Sequence, residues 1–169
     1  GNTVQDNGVV LSNLNEHADI TDNVFPYIAG EEPKVETEAQ KILGVFTESG
    51  IQKADFTVSA QCFRVNVVDG HMASVRVNLK KTAALDEVID AMKTFPSLDL
   101  HSSPARFIDV TDEPSRPQTR LDRDNGNGMT ITVGRVFPDN IFDYRFVSLS
   151  HNTVRGAAGS AVLNAELLI

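Results

Sequence analysis

Apolar residues recur at helical spacing in three stretches of this chain and alternate with polar residues in four others. In the first stretch Val35, Ala39, Ile42 and Leu43 share one helical face; Glu32 serves as a weak N-cap, Pro33 suits the first turn and Gly44 is the stop. A second helix opens at Thr82 as N-cap, carries Leu85, Val88, Ile89 and Met92 on one side, and ends at Pro96. A third runs from about Thr153 to Leu168 after Asn152 and holds Gly156, Ala157, Ala158, Gly159, Ser160 and Ala161. Glycine inside a helix costs up to about 1 kcal/mol relative to alanine, so two of them point to tight packing or a nearby ligand. Strands are predicted over 56–68, 72–79, 129–136 and 143–149. Residues 97–128 contain Pro104, Pro114 and Pro117 and are expected to be irregular; a loop this long is usually functional or interfacial. Residues 1–23 show no sustained period and are expected to be an irregular lead-in, with the domain proper over 24–169.

The junction of the first two strands carries the most chemistry. Asp69-Gly70 between alternating segments is a short-hairpin signal, because a type I′ turn needs positive φ at both central residues. In that register Val68 pairs with His71, Asn66 with Ala73 and Arg64 with Val75, which places the Arg64 guanidinium and the His71 imidazole on one face of a ribbon. Their backbones are roughly 13 Å apart along it. Phe63, Val65, Val67 and Met72 occupy the other face and are expected to point into the core. An anion clamp and a proton-transfer group facing one cleft suggest an enzyme.

Composition narrows the classes. With 169 residues, of which 41% are apolar, the chain is long enough for one domain with a real core. No apolar run is long enough to span a bilayer, and with polar residues following Gly1 no signal peptide is expected. A net charge of −8 argues against a sequence-independent nucleic-acid binder, and it makes each locally placed cation informative. The single cysteine, Cys62, fits a reducing, cytoplasmic setting.

Lys34 is such a cation. At a helix N-terminus an ammonium opposes the macrodipole, so with free backbone N–H groups beside it the position suits a bound phosphate; a solvated first turn is the plainer reading. His71 by itself reads equally well as a solvated loop histidine, and Arg64 as a surface charge. Cys62 shares the face of Arg64, yet an isolated strand cysteine is more often a small buried hydrophobe than a nucleophile. Asp122-Arg123-Asp124-Asn125-Gly126 opens like a calcium loop but fails at the later ligand positions, and the four histidines have no metal-ligand spacing, so no metal is expected.

Four segments together resemble the aspartate-semialdehyde dehydrogenase family of archaeal and fungal type. They are Gly30-Glu31-Glu32-Pro33-Lys34-Val35-Glu36-Thr37-Glu38, the run from Arg64 to His71, Arg120-Leu121-Asp122-Arg123-Asp124-Asn125-Gly126, and Ser150-His151-Asn152-Thr153-Val154-Arg155-Gly156-Ala157-Ala158-Gly159. They occur in the family's order across roughly residues 24–169. The resemblance implies an α+β fold, a mixed or antiparallel sheet packed against helices, as in the C-terminal domain of glyceraldehyde-3-phosphate-dehydrogenase-like enzymes. It implies the second, catalytic and dimerisation domain of an NADP-linked oxidoreductase that interconverts L-aspartyl-4-phosphate and L-aspartate 4-semialdehyde in lysine, methionine and threonine biosynthesis.

By that resemblance His71 is the catalytic acid/base, Arg64 binds the substrate carboxylate, Glu31 its amino group, Lys34 the phosphate, and Asn152 the nicotinamide part of the cofactor. The expected assembly is a homodimer or homotetramer, with no nucleic acid or membrane partner. The family's cysteine motif and glycine-rich nucleotide loop are not matched in this chain, so it is expected to be the second half of the enzyme, inactive alone, with its last helix packing back on the cofactor domain. The alternatives are a non-catalytic dimerisation or interaction module of the same fold, and the related acetylglutamyl-phosphate reductase, which Glu31 and Lys34 disfavour.

Overall fold

Long-range pairing, not a local turn, places the strands that carry Arg64 and His71. The computed structural model describes residues 4–5, 8–9 and 20–169. The chain divides into two compact units, Gly1–Asn66 and Val67–Ile169. Most of the predicted lead-in over 1–23 lies outside the described residues; within it β1 (Val4–Gln5) pairs antiparallel with β2 (Gly8–Val9).

In the first unit, β3 (Val24–Phe25) is followed by α1 (Glu31–Ile42), the hairpin of β4 (Val45–Thr47) and β5 (Gly50–Gln52), and β6 (Arg64–Val65). Helix α1 starts two residues earlier than its proline suggests. Gly30 caps it, so Glu32 lies inside the first turn and not at the cap. Its inward face is polar: Glu32 Oε1 accepts the Cys62 backbone N–H at 2.9 Å, Glu36 Oε1 that of Ala60 at 2.9 Å, and Gln40 Nε2 donates to the Phe56 carbonyl at 2.6 Å. The extended segment 56–62 is thus held by helix side chains in place of a strand partner. The periodic apolar positions Val35, Ile42 and Leu43 are exposed.

The second unit is built on a four-stranded sheet in the order β7-β10-β9-β8. Its strands are β7 (His71–Val77), β8 (Ile108–Thr111), β9 (Ile131–Pro138) and β10 (Tyr144–Ser150). Helix α2 (Leu85–Lys93) begins after Ala84, not Thr82; alanine has no capping oxygen, and Glu87 reaches back to accept the Ala84 N–H at 2.6 Å. Helix α3 (Thr119–Asp122) is a single turn, and α4 (Gly159–Glu166) follows a π-helical turn at Val154–Ala158. The Tyr144 hydroxyl donates to the Ala83 carbonyl at 2.6 Å and ties the sheet to the start of α2. Leu149, the most buried apolar side chain, stands opposite Met72 on one side and Thr132 on the other. Phe107, Met129 and Leu163 form a second cluster that seats α4. Mixed pairing and helices on a sheet make this an α+β fold.

Three sequence expectations are corrected. The ribbon joining 56–68 to 72–79 does not exist: β6 pairs with β3, setting Arg64 opposite Phe25, while β7 pairs with β10, setting His71 opposite Ser150 and Val75 opposite Phe146. Seven consecutive pairs with β10 outweigh the local Asp-Gly signal, and Gly70 alone takes positive φ there, so the turn is not type I′. Phe63, Val65, Val67 and Met72 are consequently exposed instead of core, since β6 is two residues long and β7 is an edge strand. Residues 97–128 contain β8, which runs parallel to β9, and α3.

Gly134 marks where the 112–118 segment crosses the sheet. A Cβ there would lie 2.5 Å from the Arg116 carbonyl oxygen, a backbone atom that cannot swing aside. Gly134→Ala is expected to destabilise the fold by about 2 kcal/mol, read as a lower denaturant midpoint with unchanged slope.

Candidate functional site

The five residues singled out from sequence fall into two groups. Glu31, Lys34 and Arg64 belong to the first unit, His71 and Asn152 to the second. Glu31 sits at the first position of α1 and Lys34 one turn on, so the two side chains meet: Lys34 Nζ is 3.6 Å from Glu31 Oε1. That pairing answers the ammonium's conflict with the helix dipole. The backbone adds little to an anion seat there. Glu31 N–H goes to the Ile28 carbonyl, Pro33 has no N–H and the Lys34 N–H goes to Gly30, leaving Glu32 as the one first-turn donor without a partner among the described residues.

Arg64 is placed by the same helix. The bond from Cys62 N–H to Glu32 fixes the chain two residues before it, and the β3 ladder fixes the strand itself. Arg64 is partly buried, and its guanidinium has no ion-pair partner among the described residues. Cys62 lies in poor surroundings for a nucleophile. Burial pushes its thiol pKa up, and the carboxylates of Glu32, Glu31 and Glu36 push it further. A thiolate is disfavoured on every count.

In the second unit His71 opens β7 with an exposed imidazole. Asn152 comes to it from the far end of the sequence: its Oδ1 accepts the Gly70 N–H at 2.9 Å. An N–H can only donate, so the carboxamide orientation is fixed, and its Nδ2 hydrogens point away from that bond with no acceptor among the described residues. Next to it His151, 8% exposed, turns Nδ1 toward the N–H groups of Thr153 at 3.3 Å and Val154 at 3.4 Å, capping the π-helical turn. His151 Nε2 lies 3.8 Å from Asp124 Oδ1.

The charged run after Pro114 is mainly structural. Asp122, 2% exposed, accepts both ends of the Arg116 guanidinium, Nε at 2.7 Å, together with the Gln118 N–H at 2.6 Å. Those Arg116 hydrogen bonds hold its carboxyl below the usual carboxylate range against the opposing effect of burial. Asn125 Nδ2 donates to Thr132 on β9 at 2.9 Å. No three His, Cys, Asp or Glu side chains gather to hold a metal ion among the described residues, and no helix there is long and apolar enough to cross a membrane.

Sequence reasoning missed the surroundings of His71. Gly70, Arg123, Asp124 and His151 all lie in segments that stood out as motifs, but only the fold shows that these segments converge.

Comparison with known proteins agrees with the resemblance. Residues 2–155 match the family described as semialdehyde dehydrogenase, dimerisation domain. The chain is 52% identical over 150 residues to an aspartate-semialdehyde dehydrogenase of Archaeoglobus fulgidus, covering 89% of this chain and 44% of that protein. It is 48% identical to the enzyme of the same name from Schizosaccharomyces pombe, over 89% of this chain and 45% of that one. The crystal structure of aspartate semialdehyde dehydrogenase with NADP from Candida albicans superposes with a TM-score of 0.81 at 40% identity, over 89% of this chain and 45% of that one. The chain therefore spans less than half the length of the relatives it matches.

Proposed function

We propose, since this chain belongs to the semialdehyde dehydrogenase dimerisation-domain family, that it supplies the catalytic and dimerisation half of an aspartate-semialdehyde dehydrogenase, with the catalytic domain over 24–169. The reading is carried by the 52% identity over 150 residues to the Archaeoglobus fulgidus protein of that name. The whole enzyme interconverts L-aspartyl-4-phosphate and L-aspartate 4-semialdehyde with NADP and phosphate, in the cytoplasm, as a homodimer or homotetramer.

The chemistry distributes over the residues as follows. Arg64, with a fixed backbone and no ion-pair partner among the described residues, takes the substrate carboxylate. Glu31 takes the substrate amino group, and Lys34 takes phosphate, exchanging part of its pairing with Glu31 for the ligand's charge. His71 accepts the proton of an attacking thiol at an imidazole nitrogen and returns it when the thiol leaves. Cys62 is ill suited to be that thiol, because burial and the carboxylates of Glu32, Glu31 and Glu36 raise its pKa. The nucleophile belongs to the other half of the enzyme, so this chain alone is inactive.

NADP, when bound, takes up the hydride released as the aldehyde is oxidised. The Asn152 carboxamide would suit a nicotinamide ligand: Oδ1 is committed to Gly70, and its Nδ2 hydrogens, without an acceptor among the described residues, would be available to donate. The helix after Asn152 would pack back on the cofactor-binding half.

Mixing the chain with the complementary nucleotide-binding half and assaying phosphate-dependent reduction of NADP tests the proposal. Activity is expected from the mixture and from neither half alone. A mixture of two folded halves with no activity would favour the second reading, a non-catalytic dimerisation module of the same fold, which the unmatched cysteine motif motivates.

A further inference from the structure

The peptide joining Asp69 to Gly70 is gripped at both ends by side chains from distant parts of the second unit. Its N–H donates to Asn152 Oδ1 at 2.9 Å, and its carbonyl oxygen accepts from Arg123 Nη1 at 3.4 Å. The two gripping residues are themselves linked. Arg123 Nε lies 3.7 Å from Asp124 Oδ2, and Asp124 Oδ1 lies 3.8 Å from Nε2 of His151, the residue before Asn152. Going round once, Gly70, Asn152, His151, Asp124, Arg123 and Asp69 close a ring, and His71 is the next residue out of it.

We propose that Arg123 is a positioning residue for His71: its guanidinium and the Asn152 carboxamide clamp one peptide plane from opposite sides and so set where the His71 backbone enters β7. A peptide held by one hydrogen bond can still rotate about it. A second bond on the far side of the same planar group removes that freedom.

The surroundings make such a clamp necessary. Gly70 has φ +111, a conformation that other residues rarely adopt, and a Cβ there would sit 3.3 Å from both Leu149 Cδ1 and Thr119 Cγ2. The chain is threaded between two side chains with no Cβ of its own to wedge it. Side-chain packing cannot fix this backbone, so polar groups must. Arg123 suits the task because its fork presents Nη1 to the carbonyl and Nε to Asp124 at once. Asp124 is exposed on its outer side, yet its two oxygens face the two cations of the ring, Arg123 and, when protonated, His151.

The catalytic importance of the clamp rests on the proposed role of His71 as acid/base; the clamp itself does not. Two measurements separate them. In the 169-residue chain, amide hydrogen exchange of Gly70 reads the grip directly. Arg123→Ala is expected to speed Gly70 exchange relative to the rest of β7, and Arg123→Lys to restore part of the protection, since a lysine keeps a donor for the Asp69 carbonyl. In the active enzyme containing this chain, Arg123→Ala is expected to lower kcat about tenfold through misplacement of the base. KM values for semialdehyde and phosphate should stay within about twofold, and the base-dependent limb of the pH profile should move. Unchanged Gly70 exchange in both variants overturns the clamp, whatever the activity. Faster exchange with unchanged kcat and pH profile overturns its positioning role. If the unsubstituted enzyme shows no phosphate-dependent NADP reduction, the functional reading fails while the exchange experiment still decides the clamp.

Discussion

Replacing Asp122 with asparagine is expected to destabilise the chain by about 3 kcal/mol and to lower its melting temperature by roughly 9 °C. Asp122 is almost wholly buried and accepts from two nitrogens of Arg116 and from the Gln118 N–H. Asparagine keeps the shape but loses the charge, and it turns an NH2 group toward a guanidinium that can only donate. Arg116 is about one-third exposed, side chain 31%, so water recovers part of its charge and the loss falls at the lower end of the range for breaking a buried pair. The cost spreads, because the 112–118 segment lies over Gly134 and α3 carries Asp122 itself.

The same carboxylate gives the effect a pH signature. In the folded chain its pKa is held down by Arg116, while in the unfolded chain it returns to the ordinary value of 3.8. Between those two values the unfolded state binds more protons, so stability rises with pH. The contribution is fully present above the unfolded pKa and is lost as pH falls through the folded one. Urea denaturation of the unsubstituted chain and Asp122→Asn at pH 7 and about pH 3 should show the gap between them shrinking at the lower pH. An undiminished gap would mean that packing, not the charge, holds Arg116 and Asp122 together.

What sequence could say about this fold follows from the range of each interaction. Helices α1 and α2 and strands β9 and β10 were legible because periodicity and stops act within one element, although the caps expected at Glu32 and Thr82 fall instead at Gly30 and Ala84. Pairing was not. The partner of His71 is Ser150, and no local pattern in the Asp69-Gly70 region points there. The hairpin expectation rested on a real turn preference that a seven-pair ladder overrode. Strand β8 was hidden for a related reason: four residues of a parallel edge strand, Ile108 to Thr111, carry too short a pattern to stand out from the surrounding prolines.

The proposed site rests on a different kind of signal. The family resemblance implies Glu31, Lys34, Arg64, His71 and Asn152 as the site, and Arg64 and His71 do not share a ribbon. Each is held by its own network, Arg64 through the carboxylates of α1 and His71 through the Gly70 clamp. The exposed state of Val35, Ile42 and Leu43 on a helix with a polar inward face could not be foreseen from periodicity, which reports that a face is apolar and not what covers it.

The largest effect on activity is expected at His71. In the enzyme containing this chain, His71→Asn should reduce kcat about a thousandfold, the range set by losing a positioned general base. KM for the semialdehyde should change little. On the proposed assignment the anchoring charges of Arg64, Glu31 and Lys34 would remain and bind substrate and transition state equally, so the loss would appear in kcat. Stability gives the control. The His71 side chain is exposed and makes no hydrogen bond among the described residues, so folding should change by no more than about 0.5 kcal/mol. Steady-state kinetics and thermal unfolding of the same variant then read two independent things. A fall in kcat below about tenfold with normal folding would move the acid/base role to another group. A large fall in kcat with an intact fold would leave proton transfer as what His71 supplies, and would make its backbone placement by the Gly70 peptide a matter of catalysis and not of folding alone.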